Sequence, residues 1–175
     1  MTQNTFLNTS HAKRWGAWVA LIGILVATGI AEPKTLKEGD LFPDLSGFGL
    51  EGPLPNELKG KVILLDFWAS WCGPCKESFP VLDELHKKYA AAGLVVLGVN
   101  VDDKAKASED FLKRRPVSFP IVRDASKRLV SAVDIETMPT SFLIDRQGKI
   151  KGVHRGFRGA ETKRAYVKEI EELLK

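Results

Sequence analysis

The chain has 175 residues, with 26 lysines and arginines against 22 aspartates and glutamates, a formal net charge of +4. A charge excess this small does not favour a nucleic-acid partner. The length accommodates one domain with a substantial hydrophobic core.

Residues 1–31 have the features of an export signal or a membrane anchor. Lys13 and Arg14 precede an uncharged run, WGAWVALIGILVATGIA, over residues 15–31. A basic lead followed by an apolar run is typical of a signal peptide, and the run is near the lower end of the ~17–25 residues that span a bilayer. A cleaved signal and a retained anchor are both compatible with this pattern. The two basic residues favour a cytoplasmic N-terminus, so we expect the remainder to be extracytoplasmic, in the periplasm or on the outer face of the cytoplasmic membrane.

Residues 32–39 are polar and have no apolar period, which predicts a tether between the leader and a domain over residues 40–175. The leader contains two basic residues and no acidic one. The 144 residues after it therefore carry 24 basic and 22 acidic side chains. This near balance again gives no reason to expect nucleic acid.

The predicted elements alternate between strands and helices. An apolar run without polar alternation, such as VILLDF, is typical of a strand covered on both faces, and the final helix is amphipathic. In chain order we expect strand 62–67, helix 72–92, strand 94–101, helices 108–115 and 126–133, strands 141–144 and 150–153, and helix 160–174. This order predicts an α/β fold, with a mixed central sheet and helices on both faces.

Both cysteines, Cys72 and Cys75, lie three residues apart at the predicted start of the first helix. Helical residues at this spacing have Cβ atoms roughly 5–6 Å apart, and a disulfide needs about 3.5–4.5 Å, so the two can bond with slight adjustment. The closed loop is so small that a purely structural disulfide would restrict the unfolded chain very little. A structural zinc needs four ligands and this pair supplies two. Redox chemistry is the remaining interpretation.

The helix start also predicts the role of each thiol. Unpaired N–H groups and the positive end of the helix dipole stabilise a thiolate at Cys72. We therefore expect Cys72 to attack and Cys75, one turn deeper, to resolve the mixed disulfide. Gly73 leaves space for a partner chain, and Pro74 is tolerated because first-turn N–H groups have no helical acceptor.

The segment FWASWCGPCKESFP resembles the active site of the thioredoxin superfamily. The sequence TMPT, followed by SFLID, resembles the loop that carries that family's cis-proline. With the leader, these segments resemble the membrane-tethered TlpA/ResA group over residues 40–175. The resemblance implies a thioredoxin-like three-layer fold, dithiol–disulfide exchange without a dissolved cofactor or metal, and a cis bond between Met138 and Pro139. The residues expected to contact a substrate are Trp71, Gly73, Pro74, Met138 and Pro139.

Asp66, six residues before Cys72, matches the buried acid of cytoplasmic thioredoxins. Its functional interpretation is a proton acceptor for Cys75, and the alternative is an acid that binds nearby backbone. Those thioredoxins place a lysine on the next strand as the partner of this acid, and the matching position here is Gly98. The ResA-like proteins instead place an acid just after the second strand, where this chain has Asp102 and Asp103. These two are alternative proton acceptors or helix caps.

The two tryptophans beside the cysteines have different expected roles. Trp68, at a strand end, is predicted to pack in the core. Trp71, in the loop before Cys72, is predicted to be exposed contact surface.

These observations predict an extracytoplasmic reductase of protein disulfides. The resemblance implies a membrane thiol-electron transporter as the reductant, and apocytochrome c or a copper-receiving oxidase subunit as the client. The alternative is a copper-binding chaperone with Cys72, Cys75 and His154 as ligands. A thiol peroxidase fits less well, because WCGPC is not the expected peroxidatic motif.

Overall fold

The computed structural model describes residues 35–175. It contains five strands and four helices: β1 (Val62–Trp68), α1 (Gly73–Tyr89), β2 (Leu94–Asn100), α2 (Ala105–Arg114), β3 (Ile121–Arg123), α3 (Arg128–Ala132), β4 (Thr140–Ile144), β5 (Ile150–Arg155) and α4 (Ala160–Leu173). Short 3₁₀ helices form at Leu45–Phe48 and Ala90–Ala92. The predicted elements occur in the predicted order, with one additional strand, β3.

The strands form one mixed sheet in the order β3-β2-β1-β4-β5. β1 and β3 are parallel to β2, whereas β4 is antiparallel to both β1 and β5. All seven residues of the central strand β1 are buried. This burial explains the uninterrupted apolar run, since a strand covered on both faces has no solvent-facing positions.

One face of the sheet carries the side chains of Asp66 and Trp68, because alternate residues of a strand point to the same side. The Trp68 ring contacts Phe79 of α1 and Phe111 of α2, with ring centroids 4.7 and 5.1 Å apart. Tyr166 of α4 reaches the same face through a hydrogen bond to β4. Helices α1, α2 and α4 therefore cover this face.

The opposite face carries Phe67 of β1 and Phe142 of β4, whose rings pack 6.1 Å apart. Phe42 adds a third ring, 5.2 Å from Phe142. Helix α3 contacts the 3₁₀ helix Leu45–Phe48, in the same N-terminal segment as Phe42. The fold is thus α/β, with a mixed sheet between two layers, as the sequence predicts.

Three elements show the main differences from the prediction. β3 was not expected; it is a three-residue edge strand between Pro120 and Asp124 and is too short to show a period. Helix α2 begins at Ala105, three residues earlier than expected, and α3 is shorter than predicted.

The predicted leader, residues 1–31, and residues 32–34 of the predicted tether lie outside the described residues. Within the described chain, none of the helices combines the length and apolar character needed to cross a bilayer. Leu36 is buried in the core, and the Gly39 N–H donates a hydrogen bond of 2.9 Å to the Ile150 carbonyl. Packing against the sheet therefore begins upstream of Asp40.

Candidate active site

The two cysteines lie where β1 passes into α1. Cys72 is the N-cap of α1, and its Sγ accepts a hydrogen bond of 3.2 Å from the Cys75 N–H. The two form a disulfide, with Cα atoms 5.4 Å apart. Cys72 is 5% exposed and Cys75 is fully buried. Cys72 is therefore the sulfur nearer to solvent, which agrees with its predicted role as the attacking thiol.

The residues around Cys72 offer an open surface. Trp71 is 68% exposed, one of the few large apolar side chains in the described chain with so much exposed area. Gly73 and Pro74 are exposed as well, and a Cβ atom at Gly73 would meet nothing within 4 Å. Trp68 is fully buried. The predicted contrast between a packed Trp68 and an exposed Trp71 is confirmed.

The loop that contains Pro139 lies at the same end of the sheet as the cysteines. Thr140 pairs with Phe67 in the antiparallel β1–β4 ladder, so the preceding Pro139 lies beside the end of β1 from which the cysteine loop departs. The Met138–Pro139 bond is cis, as predicted. Met138 is half-buried, and Thr140 Oγ1 donates a hydrogen bond of 2.6 Å to the Thr137 carbonyl.

Asp66 lies in the middle of β1 and is fully buried. Burial raises its pKa to about 7, and a hydrogen bond from Ser141 partly opposes that shift. The Ser141 hydroxyl donates to Asp66 Oδ1 at 2.5 Å, while Oδ2 has no hydrogen-bond partner among the described residues. The alternative interpretation of Asp66, as an acid that binds nearby backbone, is therefore wrong.

Ser141 and Tyr166 were not predicted as site residues. The Tyr166 hydroxyl lies 2.7 Å from Ser141 Oγ, and both residues are almost completely buried. The sequence signal that could have pointed to Ser141 is that it is the single polar residue of the buried run SFLI, directly after TMPT. Tyr166 could be assigned only to the apolar face of the last helix.

Gly98 pairs directly with Asp66 in the β1–β2 ladder, which agrees with its match to the lysine position of cytoplasmic thioredoxins. A Cβ atom at Gly98 would lie 2.5 Å from Ile121 Cδ1 and 3.2 Å from Trp68 Nε1. The Trp68 indole thus occupies the space beside Asp66 on this strand. No side chain can act on Asp66 from position 98.

Asp102 is buried and fixes the cysteine loop. Its carboxylate accepts hydrogen bonds from the Ser70 N–H (3.0 Å), the Ser70 hydroxyl (3.0 Å) and Asn100 Nδ2 (2.9 Å). The N-cap of α2 is Lys104, so the helix-cap interpretation of Asp102 and Asp103 is wrong. Asp103 is exposed, and its carboxylate lies 3.3 Å from Lys127 Nζ.

His154 contacts α4. Its Nε2 lies 2.9 Å from Glu169 Oε2, and its ring packs edge-on against Tyr166 with centroids 4.8 Å apart. Within residues 35–175, no group of three histidine, cysteine, aspartate or glutamate side chains could hold a metal ion. The geometry therefore does not supply His154 as a third ligand beside Cys72 and Cys75.

Pro80 lies inside α1, one turn after the cysteines. Proline has no N–H, so the carbonyl four residues earlier, that of Lys76, loses its helical donor. Arg115 Nη1 donates a hydrogen bond of 3.1 Å to this carbonyl. Arg115, the residue after α2, thus replaces the hydrogen-bond donor that the Lys76 carbonyl loses because of Pro80.

Comparisons with known proteins agree with this geometry. The redoxin family model matches residues 37–174. The chain is 38% identical over 101 residues to the thiol-disulfide oxidoreductase ResA of Bacillus subtilis, a match that covers 58% of this chain and 56% of that protein. It is 32% identical over 155 residues to ResA of Geobacillus thermodenitrificans, covering 87% of this chain and 89% of that protein.

A solved structure shows the same architecture. The Chlorobium tepidum protein assigned as thiol:disulfide interchange protein DsbE superposes with a TM-score of 0.69 at 37% sequence identity, over 80% of this chain and 99% of that one. The family match covers nearly all the described residues and includes the disulfide at the helix start. The chain therefore belongs to the redoxin family, as a ResA-like thiol-disulfide oxidoreductase of the thioredoxin superfamily.

Proposed function

We propose that this protein works outside the cytoplasm as a reductase of disulfides in other proteins, with Cys72 and Cys75 as its redox couple. The observation that carries the proposal is the Cys72–Cys75 disulfide at the start of α1, beside the exposed indole of Trp71. The basic and apolar leader supports the extracytoplasmic location. The cysteines themselves carry the electrons.

In the proposed reaction the Cys72 thiolate attacks one sulfur of the client disulfide. The second client sulfur leaves as a thiolate, and a mixed disulfide links Cys72 to the client. Cys75 then loses its proton to Asp66 and attacks the Cys72 sulfur. The Cys72–Cys75 bond forms, the bond to the client breaks, and the client leaves with two reduced sulfurs.

The surroundings of Cys72 favour reduction over oxidation. A strong oxidant of this fold needs its reduced form, and so its thiolate, strongly stabilised. Gly73 and Pro74, the two residues between the cysteines, offer Cys72 neither charge nor a side-chain donor. The hydrogen bond from the Cys75 N–H and the helix dipole remain. We expect moderate stabilisation, with a potential nearer about −270 mV than about −120 mV.

The direction is tested by equilibrating the protein with glutathione buffers and counting free thiols by alkylation and mass spectrometry. The Cys75→Ser variant, which keeps the attacking thiol but cannot form the internal disulfide, corrects for mixed disulfides between Cys72 and glutathione. A midpoint below about −180 mV supports a reductase, and one above it makes the protein an oxidant or isomerase.

A reductase in an oxidising compartment needs a source of electrons. We propose a membrane thiol-electron transporter as that source, and apocytochrome c or a copper-receiving oxidase subunit as the client. These partners are the ones that the resemblance to the TlpA/ResA group implies. Capture of mixed disulfides on Cys72 in cells, followed by mass spectrometry, tests both. Recovery of neither class would contradict the assignment of partners.

A further inference from the structure

The two carboxylate oxygens of Asp66 have different surroundings. Oδ1 accepts a hydrogen bond of 2.5 Å from the Ser141 hydroxyl. Oδ2 is buried and has no partner among the described residues. A buried oxygen without a partner is destabilising when it carries charge. Protonation of Asp66 is therefore more favourable at Oδ2 than at Oδ1.

The hydroxyl groups behind Oδ1 have a fixed order of donation. An ionised carboxylate only accepts, so the single hydroxyl proton of Ser141 points to Asp66. Ser141 Oγ must then accept from the Tyr166 hydroxyl, 2.7 Å away. Donation in the opposite direction would leave the Tyr166 proton without an acceptor among the described residues. The order is Tyr166 to Ser141 to Asp66.

Few charged groups face this line of hydroxyls. β5 presents His154 and α4 presents Glu169, which bond to each other at 2.9 Å beside Tyr166. β2 presents Gly98, which has no side chain. Helix α1 packs on the same face of the sheet through Phe79 and carries the buried Cys75, which releases a proton in the proposed reaction.

We propose that Tyr166 and Ser141 are positioning residues that hold Oδ1 of Asp66, so that Oδ2 is the atom that receives the Cys75 proton. This inference rests on the proposed dithiol–disulfide exchange. The thiol S–H bond breaks as the O–H bond at Oδ2 forms, and the sulfur keeps the electron pair with which it attacks Cys72. Hydrogen bonds in series strengthen one another, so the Tyr166 hydroxyl stabilises the Asp66 carboxylate through Ser141.

The test compares the full-length variants Tyr166→Phe and Ser141→Ala with the wild-type protein. Tyr89→Phe is the matched control, because Tyr89 is also a mostly buried tyrosine that donates to a carboxylate, that of Glu171, at 2.5 Å. Carbon-13 NMR of labelled aspartate follows the titration of Asp66 with no client present. Stopped-flow release of a peptide thiol from the mixed disulfide gives the second pH profile.

We expect the Asp66 titration midpoint to rise by roughly one pH unit in Ser141→Ala and by a smaller amount in Tyr166→Phe. The release profile should move to higher pH by the same amounts, and Tyr89→Phe should match the wild type. An unchanged Asp66 midpoint in Tyr166→Phe overturns the proposal.

The two readouts separate this inference from the proposed function. If the midpoint rises while the release profile stays in place, Asp66 is not the acceptor and the assignment of Oδ2 is overturned. If the wild-type protein releases no client thiol while the Asp66 midpoint rises in both Ser141→Ala and Tyr166→Phe, the positioning role of Tyr166 and Ser141 stands and the proposed reductase activity fails.

Discussion

Ser70 donates two hydrogen bonds to the carboxylate of Asp102, from its backbone N–H to Oδ2 and from its hydroxyl to Oδ1, each 3.0 Å long. Ser70 is two residues before Cys72, and Asp102 is two residues after the end of β2. The contact therefore fixes the cysteine loop to the neighbouring strand.

We expect Asp102→Ala to destabilise the protein by about 1–3 kcal/mol, because it leaves the partly buried Ser70 donors and the buried Asn100 amide without their acceptor. Hydrogen exchange at the Ser70 amide should accelerate in the native state. Asp103→Ala is the matched control; its exposed pair with Lys127 should contribute less than about 1 kcal/mol. Equal losses in chemical denaturation of the two variants would contradict the anchoring role of Asp102.

The cysteine variants should differ in what they trap. Cys75→Ser should accumulate mixed disulfides on Cys72, because the resolving thiol is missing. Cys72→Ser should accumulate almost none, since Cys75 is fully buried and cannot reach a client. Non-reducing gel electrophoresis after acid quenching measures both. Equal trapping by the two variants would reverse the assignment of the thiols.

The stability of the oxidised protein should depend on the charge of Asp66. Its pKa is raised by burial from 3.8 to about 7 in the folded state. The favourable contribution of the neutral acid is complete below pH 4 and is lost as pH rises toward 7. Asp66→Asn should therefore stabilise the protein above pH 7, by about 4 kcal/mol at most.

The internal control for this variant is its own behaviour in acid. Below pH 4, Asp66 is protonated in both the folded and the unfolded states, so Asp66→Asn should change the unfolding free energy little. Urea denaturation at pH 4 and pH 8 measures the difference. A gain of equal size at both pH values would show that burial of charge is not its cause.

A methyl group at Gly98 should disturb the packing beside Asp66. Gly98→Ala places a Cβ atom 2.5 Å from Ile121 Cδ1, and overpacking of this kind destabilises a core by roughly 1–3 kcal/mol. Gly73→Ala is the control, because a Cβ there meets nothing within 4 Å. Thermal unfolding should separate the two. A fully stable Gly98→Ala would mean that Trp68 and Ile121 can move aside.

The elements that the sequence predicted are those with a strong local pattern. β1 is buried along its whole length and shows an unbroken apolar run. The cysteine pair could be located from its spacing at the helix start, whereas Pro139 and Asp66 were located from the resemblance to the thioredoxin superfamily. β3 has three residues, only one of them buried, and so gives no measurable period.

The contacts around Asp66 could not be predicted in the same way. Ser141 and Tyr166 are 75 and 100 positions beyond Asp66 in the chain. They meet it only because β4 pairs antiparallel with β1 and α4 returns over the same face. Asp102 likewise resembles a helix cap in sequence, and only the position of Ser70 shows what its carboxylate binds.

The N-terminal segment pairs with both outer strands of the sheet. Glu51 exchanges two backbone hydrogen bonds with Arg123 of β3, and residues 39–42 bond to Gly148 and Ile150 at the start of β5. An open strand edge invites pairing with another extended chain and hence aggregation. The N-terminal segment thus occupies the first residue of β5 and the last residue of β3, two positions at which another extended chain could otherwise pair.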